Sequence, residues 1–161
     1  MPVQPKGVAD SVDRSTIGVA LAAAAALCER RGVQLTSLRR SLLEMLLEHP
    51  HLPAGAYALT RQLEASFGKQ VTATTVYRSL DFLLHHGFVV RLESRNAYLP
   101  CPRPGRPAGD IFFVCDVCGA VTSKAAPSLE RLLVGKSRGL GFSVRRRIVE
   151  LQGTCARCSG R

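Results

Sequence analysis

The chain has 161 residues, with 22 Lys and Arg against 12 Asp and Glu, which gives a formal charge of +10. This length excludes anything larger than one ordinary domain or two small ones, and the strong positive charge indicates an acidic partner, most often nucleic acid. Residues 1–101 carry 11 basic and 8 acidic side chains (+3), and residues 102–161 carry 11 and 4 (+7). Charge alone therefore does not identify the half that meets DNA.

The N-terminal stretch resembles a secretion signal but is better explained as a helix. Residues 17–28 are apolar and alanine-rich, yet this run is too short to span a bilayer. A bulky Leu27 occupies the position where a signal cleavage site needs a small residue. Alanine favours a helix, which we expect to end near Gly32. We expect residues 1–15 to form a flexible arm. The protein is expected to be cytoplasmic, with no membrane association.

Three further helices are predicted before residue 88. The first begins at Thr36, a good N-cap, and keeps apolar residues at helical spacing until Pro50 ends it. The second covers about 57–67 and the third about 72–86. Two short strand-like runs, at 88–92 and 97–99, follow the third helix directly.

The third of these helices is the candidate DNA-reading element. Its expected buried stripe is apolar: Val76, Leu80, Leu83 and Leu84. Another side carries a polar row: Thr74, Thr75, Arg78, Asp81 and His85. A short polar row with one arginine can meet base edges. Helices followed by a two-stranded hairpin make a winged helix, in which one helix enters the major groove.

A linker and a small second domain are predicted after the winged helix. Residues 101–109 contain three prolines and two glycines, typical of a semi-rigid segment. Beyond them the pattern predicts a strand, a strand, a helix and a strand: 111–114, from 121, 127–138 and 142–151. The unpaired edge of such a small sheet, beside a leucine-rich helix, predicts a homodimer.

Two C-x-x-C pairs flank this predicted unit, Cys115/Cys118 and Cys155/Cys158. Each tight turn directs two sulfurs to one point, and two such turns supply a closed tetrahedral shell for Zn²⁺. Disulfides or a redox motif are alternatives. A redox motif normally occurs singly and begins a helix, whereas Gly119 predicts a turn into a strand. The pattern favours one structural zinc, which staples a small domain.

The expected fold class is α+β, an N-terminal winged-helix DNA-binding domain plus a small C-terminal α/β dimerisation domain with a Cys₄ zinc site. We expect four segments along the chain. They are a flexible arm at 1–15, the winged helix at 16–100, a hinge at 101–109 and the zinc-stapled dimerisation domain at 110–161.

This order of parts is similar to that of the ferric uptake regulator (Fur) family, most closely its zinc uptake regulator (Zur) branch, over roughly residues 17–158. The resemblance rests on these motifs: Leu35-Thr36-x-x-Arg39, Thr75-Val-Tyr-Arg-Ser-Leu-Asp-Phe-Leu-Leu84, Gly87-Phe88-Val89, Leu92-Glu-Ser94, Tyr98, Phe113-x-Cys115-x-x-Cys118-Gly-Ala-Val121 and the late cysteine pair. It implies a dimeric repressor that binds palindromic promoter DNA when loaded with metal and controls zinc-homeostasis genes.

The resemblance also implies roles for single residues. By position, Arg78 matches a base-contacting arginine, whose guanidinium can read guanine bidentately. Tyr57 matches a tyrosine of the preceding helix that reaches DNA. Three further residues match residues that position the protein by contacting the DNA backbone: Thr75, Tyr77 and Arg39. For Tyr77, partial burial between helices is an equally good alternative.

The Zur branch also has a second, regulatory zinc site near the hinge, built from histidines, a cysteine and a carboxylate. This chain has the following residues at the matching positions: Val90, Cys101, Ala108 and Ser123. Cys101 alone keeps a ligand of the family. Glu93, Cys101 and Asp110 are candidates for a weak regulatory site, and an ordinary buried thiol is the alternative for Cys101.

Other functions stay open at this point. One alternative is a Fur-family regulator that binds DNA without sensing zinc, or that responds to another metal or to oxidation of Cys101. Another is a zinc-ribbon module that binds a protein partner. An enzyme is not expected, because catalytic zinc keeps an open position whereas four cysteines close the shell. We therefore expect no catalytic residue and no small-molecule substrate.

Overall fold

The computed structural model describes residues 12–105 and 109–160. These two ranges belong to two compact units, a winged-helix unit and a C-terminal unit. Most of the predicted flexible arm, and Ala108 of the predicted hinge, lie outside the described residues, so the segment boundaries stay predictions. Within the described ranges, no helix is long and apolar enough to cross a membrane.

Four helices and a hairpin form the winged-helix unit: α1 (Arg14–Arg30), α2 (Ser37–Glu48), α3 (Ala56–Phe67), α4 (Ala73–His85), β1 (Val89–Leu92) and β2 (Ala97–Pro100). Thr36 caps α2 as predicted, since its hydroxyl accepts a hydrogen bond from the Arg39 amide at 3.5 Å. The first helix starts at Arg14, inside the predicted arm, because the Asp13 carboxylate accepts a hydrogen bond from the Thr16 amide at 3.0 Å.

One apolar core joins all four helices to the hairpin. Its fully buried side chains include Leu21, Leu42, Leu46, Leu59, Leu63, Val76, Leu80, Leu83 and Phe88. The hairpin strands pair antiparallel from Val89 opposite Pro100 to Leu92 opposite Ala97. Two reciprocal backbone hydrogen bonds between Ala54 and Tyr98, of 3.0 and 2.9 Å, tie the hairpin to the loop before α3. The start of α3 is therefore fixed by the wing as well as by the core.

The N-cap of α4 provides a test of local stability. The Thr72 hydroxyl accepts a hydrogen bond from the Thr75 amide at 3.3 Å. We expect Thr72→Ala to lower the free energy of unfolding of the winged-helix unit by about 1 kcal/mol, because one amide of the first turn loses its partner. Urea denaturation followed by the helical circular dichroism signal measures this. Thr74→Ala, which leaves the cap intact, is the control, and an equal loss in both variants would contradict the assignment.

The C-terminal unit contains a three-stranded sheet and two helices: β3 (Asp110–Cys115), β4 (Val121–Ala125), α5 (Pro127–Gly139), β5 (Val149–Gly153) and α6 (Ala156–Ser159). The strand order is β4-β3-β5, with β3 antiparallel to β4 and parallel to β5. The strand predicted over 142–151 begins only at Val149. Its partner β3 begins at Asp110, and pairing starts with Ile111 opposite Val149, so among the described residues, 142–148 have no strand beside them to bond.

Candidate zinc site and DNA-binding surface

The first cysteine pair lies in the turn between β3 and β4. The Gly119 amide donates to the Cys115 carbonyl at 2.9 Å, and the Cys115 amide donates to the Ala120 carbonyl at 2.9 Å. Gly119 has a φ of 72°, a left-handed conformation that glycine adopts without a steric penalty. The turn predicted from Gly119 is thus present, and it holds the sulfurs of Cys115 and Cys118 close together.

The second pair reaches the same place through the parallel pairing of β5 with β3. Gly153 lies opposite Cys115 in that register, and the Asp116 amide donates to the Gly153 carbonyl at 2.8 Å. Cys155 then begins the short helix α6, where the Cys158 amide donates to the Cys155 carbonyl at 2.9 Å. Two turns that are far apart in sequence are therefore brought together by one strand pair.

The four sulfurs form one compact cluster. The Sγ atoms of Cys115, Cys118, Cys155 and Cys158 lie within 4.8 Å of one another. The Cys118 and Cys155 sulfurs are 3.9 Å apart and no disulfide joins any two of the six cysteines, so the disulfide alternative is not what the structure shows. Tetrahedral zinc with Zn–S bonds of about 2.3 Å places its sulfurs roughly 3.8 Å apart. The cluster fits that shell.

Backbone amides prepare part of the cluster for metal binding. Hydrogen bonds from the Cys118 and Cys155 amides lower the pKa of the Cys115 thiol to about 6, and the Cys158 amide lowers the pKa of Cys155. A hydrogen bond to Cys155, together with burial, raises the pKa of Cys158 to about 12. Without a cation the cluster therefore keeps some of its protons. A divalent cation offsets the repulsion between four thiolates and allows all of them to ionise.

The predicted DNA-reading residues are exposed. Thr75, Tyr77 and Arg78 lie on the first half of α4, on the side away from its buried stripe, and Tyr77 is 51% exposed. Tyr57, in the first turn of α3, is 77% exposed. Tyr77 is thus half-exposed and not enclosed between helices, and its role in DNA binding stays a prediction. These four side chains are free of the core and can face a ligand.

Arg39 is placed differently from the other predicted DNA contacts. Its guanidinium carbon lies 3.6 Å from the centroid of the Phe82 ring on α4. Its Nη1 atom donates to the Gln34 carbonyl at 2.6 Å, and the residue is half-buried. Phe82 was not among the predicted site residues, although its place on the polar side of α4, four residues after Arg78, was an available signal.

The candidate regulatory residues lie at three places. Glu93, in the turn of the wing, pairs with Arg91 at 3.7 Å. Cys101 follows β2 and is half-buried, and its amide donates to the Phe88 carbonyl at 2.8 Å. Asp110 begins β3 in the C-terminal unit. Among the residues described, one group of three or more metal-ligating side chains exists, and it is the four cysteines. Neither Glu93 nor Cys101 belongs to it.

Comparisons with known proteins agree with this geometry. A model of the ferric uptake regulator family matches residues 30–152. The zinc uptake regulation protein of Escherichia coli (strain K12) is 34% identical over 154 residues, covering 91% of this chain and 85% of the relative. A solved zinc uptake regulator complexed with zinc and DNA is 35% identical with a TM-score of 0.83, covering 90% of this chain and 96% of that one. Holo XcZur is 30% identical with a TM-score of 0.78, covering 88% and 97%.

Proposed function

The chain belongs to the ferric uptake regulator family, and on that premise we propose that it is a Zur-like, zinc-linked repressor that binds promoter DNA and controls zinc-homeostasis genes. The observation that carries this proposal is the exposure of Thr75, Tyr77 and Arg78 on α4 of a winged helix. The relatives named as zinc uptake regulators, one of them solved with zinc and DNA, support it.

In this function α4 enters the major groove of double-stranded DNA. Arg78 reads a guanine, since its two parallel N–H donors match the O6 and N7 acceptors. Tyr57 reaches the DNA from the first turn of α3, where the bond between Ala54 and Tyr98 fixes the preceding loop. Thr75 and Tyr77 set the position of α4 through hydrogen bonds to phosphates, which carry no sequence information themselves.

The C-terminal unit makes the regulator a homodimer. No residue of α5 is buried, and Leu132, Phe142 and Leu151 are 56%, 67% and 49% exposed. Within residues 109–160, β5 lies at an edge of the sheet. Apolar side chains in such numbers beside a free edge are typical of a surface that another chain covers. A two-fold dimer presents two α4 helices to the two halves of a palindromic site.

Zinc bound by the four cysteines would support DNA binding by keeping the dimerising C-terminal unit folded. Four thiolates close the coordination shell, leaving no open position for a substrate or a reactive water. The chain is therefore no enzyme, and its partners are promoter DNA and a second copy. We infer that the protein is cytoplasmic, since thiolate ligands persist where thiols are kept reduced and a repressor must reach promoter DNA.

Selection of binding sites tests the proposed function. Zinc-loaded full-length protein is mixed with a pool of random-sequence duplexes, and the bound fraction is sequenced. We expect a palindromic consensus with guanine at equivalent positions of both halves. A pool without any enriched sequence would contradict DNA-specific repression and would favour a protein-binding module.

Cys101→Ser tests the regulatory site that the family resemblance suggests. We expect this variant to keep its tightly bound zinc and the zinc dependence of its DNA binding, because Cys101 belongs to no group of three ligands in the described part of the chain. Zinc content and affinity for the selected duplex are measured over a range of free zinc. Loss of zinc-dependent binding in Cys101→Ser would establish a second site, and Glu93 and Asp110 would then be tested.

A further inference from the structure

The second half of α4 is held by two arginines that flank the connection between α1 and α2. At one end of this connection, Arg31 Nη1 donates to the His86 carbonyl at 2.8 Å. That carbonyl lies just past the end of α4, where backbone acceptors lack helical partners. At the other end, Arg39 lies over the ring of Phe82. The Phe82 ring is half-buried and also packs against the apolar core.

Several contacts fix the position of Arg39. Its backbone amide donates to Thr36 at 3.5 Å in the first turn of α2, and its Nη1 donates to the Gln34 carbonyl at 2.6 Å. The guanidinium carbon is 3.6 Å from the Phe82 centroid, within the range of a cation–π contact. The Phe82 ring in turn lies 4.3 Å from the His86 ring. Arg39, Phe82 and His86 therefore form one contiguous cluster.

This cluster joins α2 to the side of α4 that carries Arg78. The stripe of Val76, Leu80 and Leu83 packs α4 against the core, and the contact of Arg39 with Phe82 adds a restraint from another direction around the helix axis. Phe82 is four residues after Arg78, so the two side chains lie on the same side of the helix. A rotation that moves Phe82 also moves the guanidinium of Arg78 relative to a base edge.

We propose that Arg39 is a positioning residue, which fixes the rotation of α4 by contacting Phe82 and so directs Arg78 at its base. This differs from the role that family resemblance implies, a direct contact with the DNA backbone. The inference rests on the proposed function in that α4 reads DNA. The contact between Arg39 and Phe82 stands independently of it.

The test compares Arg39→Gln, Phe82→Leu and the double variant in the zinc-loaded full-length protein. Arg40→Gln removes the same charge from the next residue of α2, which is exposed, and serves as the matched control. Phe82→Tyr keeps the ring and is the conservative rescue. Affinity is measured for the duplex selected by the wild-type protein and for a scrambled duplex, over a range of salt concentrations.

We expect Arg39→Gln and Phe82→Leu each to weaken specific binding by about tenfold, with binding to the scrambled duplex unchanged, since only base contacts are misaligned. The double variant should lose no more affinity than the single variant with the larger loss, because both changes remove the same contact. Arg40→Gln and Phe82→Tyr should keep the ratio of specific to non-specific affinity. The slope of log affinity against log salt should be the same for Arg39→Gln and the wild type.

Any of three results would overturn the proposal. A direct phosphate contact predicts that Arg39→Gln reduces the salt slope by about 0.9 and weakens both duplexes together. Independent roles predict that the two losses add in the double variant. Amide hydrogen exchange without DNA separates this inference from the proposed function. Faster exchange at 82–86 in both single variants supports the contact even if no specific duplex is found, and unchanged exchange contradicts it.

Discussion

Cys115→Ser and Cys158→Ser are each expected to reduce bound zinc from one ion per four-cysteine cluster to nearly none and to unfold the C-terminal unit. A serine hydroxyl is a poor substitute for a thiolate ligand, and binding free energy at structural zinc sites is on the order of 10–16 kcal/mol in small zinc-folded peptides. The unit has few buried side chains to replace it, among them Phe112, Val114 and Val121. Its fold therefore depends on the metal more than on its core.

Metal analysis of the purified variants, together with amide spectra of residues 109–160, measures this effect. Cys101→Ser is the control, since the sulfur of Cys101 lies outside the cluster. Full zinc content in both cluster variants would show that the metal is bound elsewhere.

The zinc affinity of the wild type should also fall as the pH falls, because the pKa of Cys158 is raised to about 12 in the metal-free cluster and zinc must displace that proton.

Arg78→Ala is expected to cost about 1–3 kcal/mol of affinity for the selected duplex, as for other arginines that contact a guanine. The loss should be confined to that duplex, because the variant loses a base contact while its phosphate contacts remain. Substituting the contacted base pair should then cost the variant little, although it weakens the wild type.

Fluorescence anisotropy with labelled duplexes measures this difference at fixed salt. Arg40→Ala, which removes an exposed arginine of α2, is the matched control for charge and should leave the specific affinity nearly unchanged. An equal loss on selected and scrambled duplexes in Arg78→Ala would instead make Arg78 a phosphate contact.

The parts that the sequence predicted are those with a local cause. The cap at Thr36, the apolar stripe of α4 and the turn at Gly119 each depend on residues within a few positions of one another. Leu84, which was also predicted for the stripe, is only half-buried. The prediction of a four-cysteine zinc site also assumed that the two C-x-x-C pairs lie close together. The parallel pairing of β3 with β5 brings them together.

The features that the sequence did not predict depend on tertiary contacts. Alternating apolar residues made 142–148 resemble a strand, but a strand also needs a neighbour to bond, and β3 does not extend that far. Likewise, nothing local to Arg39 indicates that its guanidinium lies over Phe82. Family resemblance gave Arg39 a role at the DNA, whereas its surroundings in the protein support a different one.

The zinc content and the DNA affinity of one set of samples test the zinc-linked function most directly. Zinc is removed stepwise from the full-length protein by a chelator, and affinity for the selected duplex is measured at each step and again after Zn²⁺ is restored. We predict that specific binding falls in proportion to the zinc lost from the four-cysteine cluster and returns with the metal. Specific binding that persists in zinc-free protein would contradict a zinc-linked regulator.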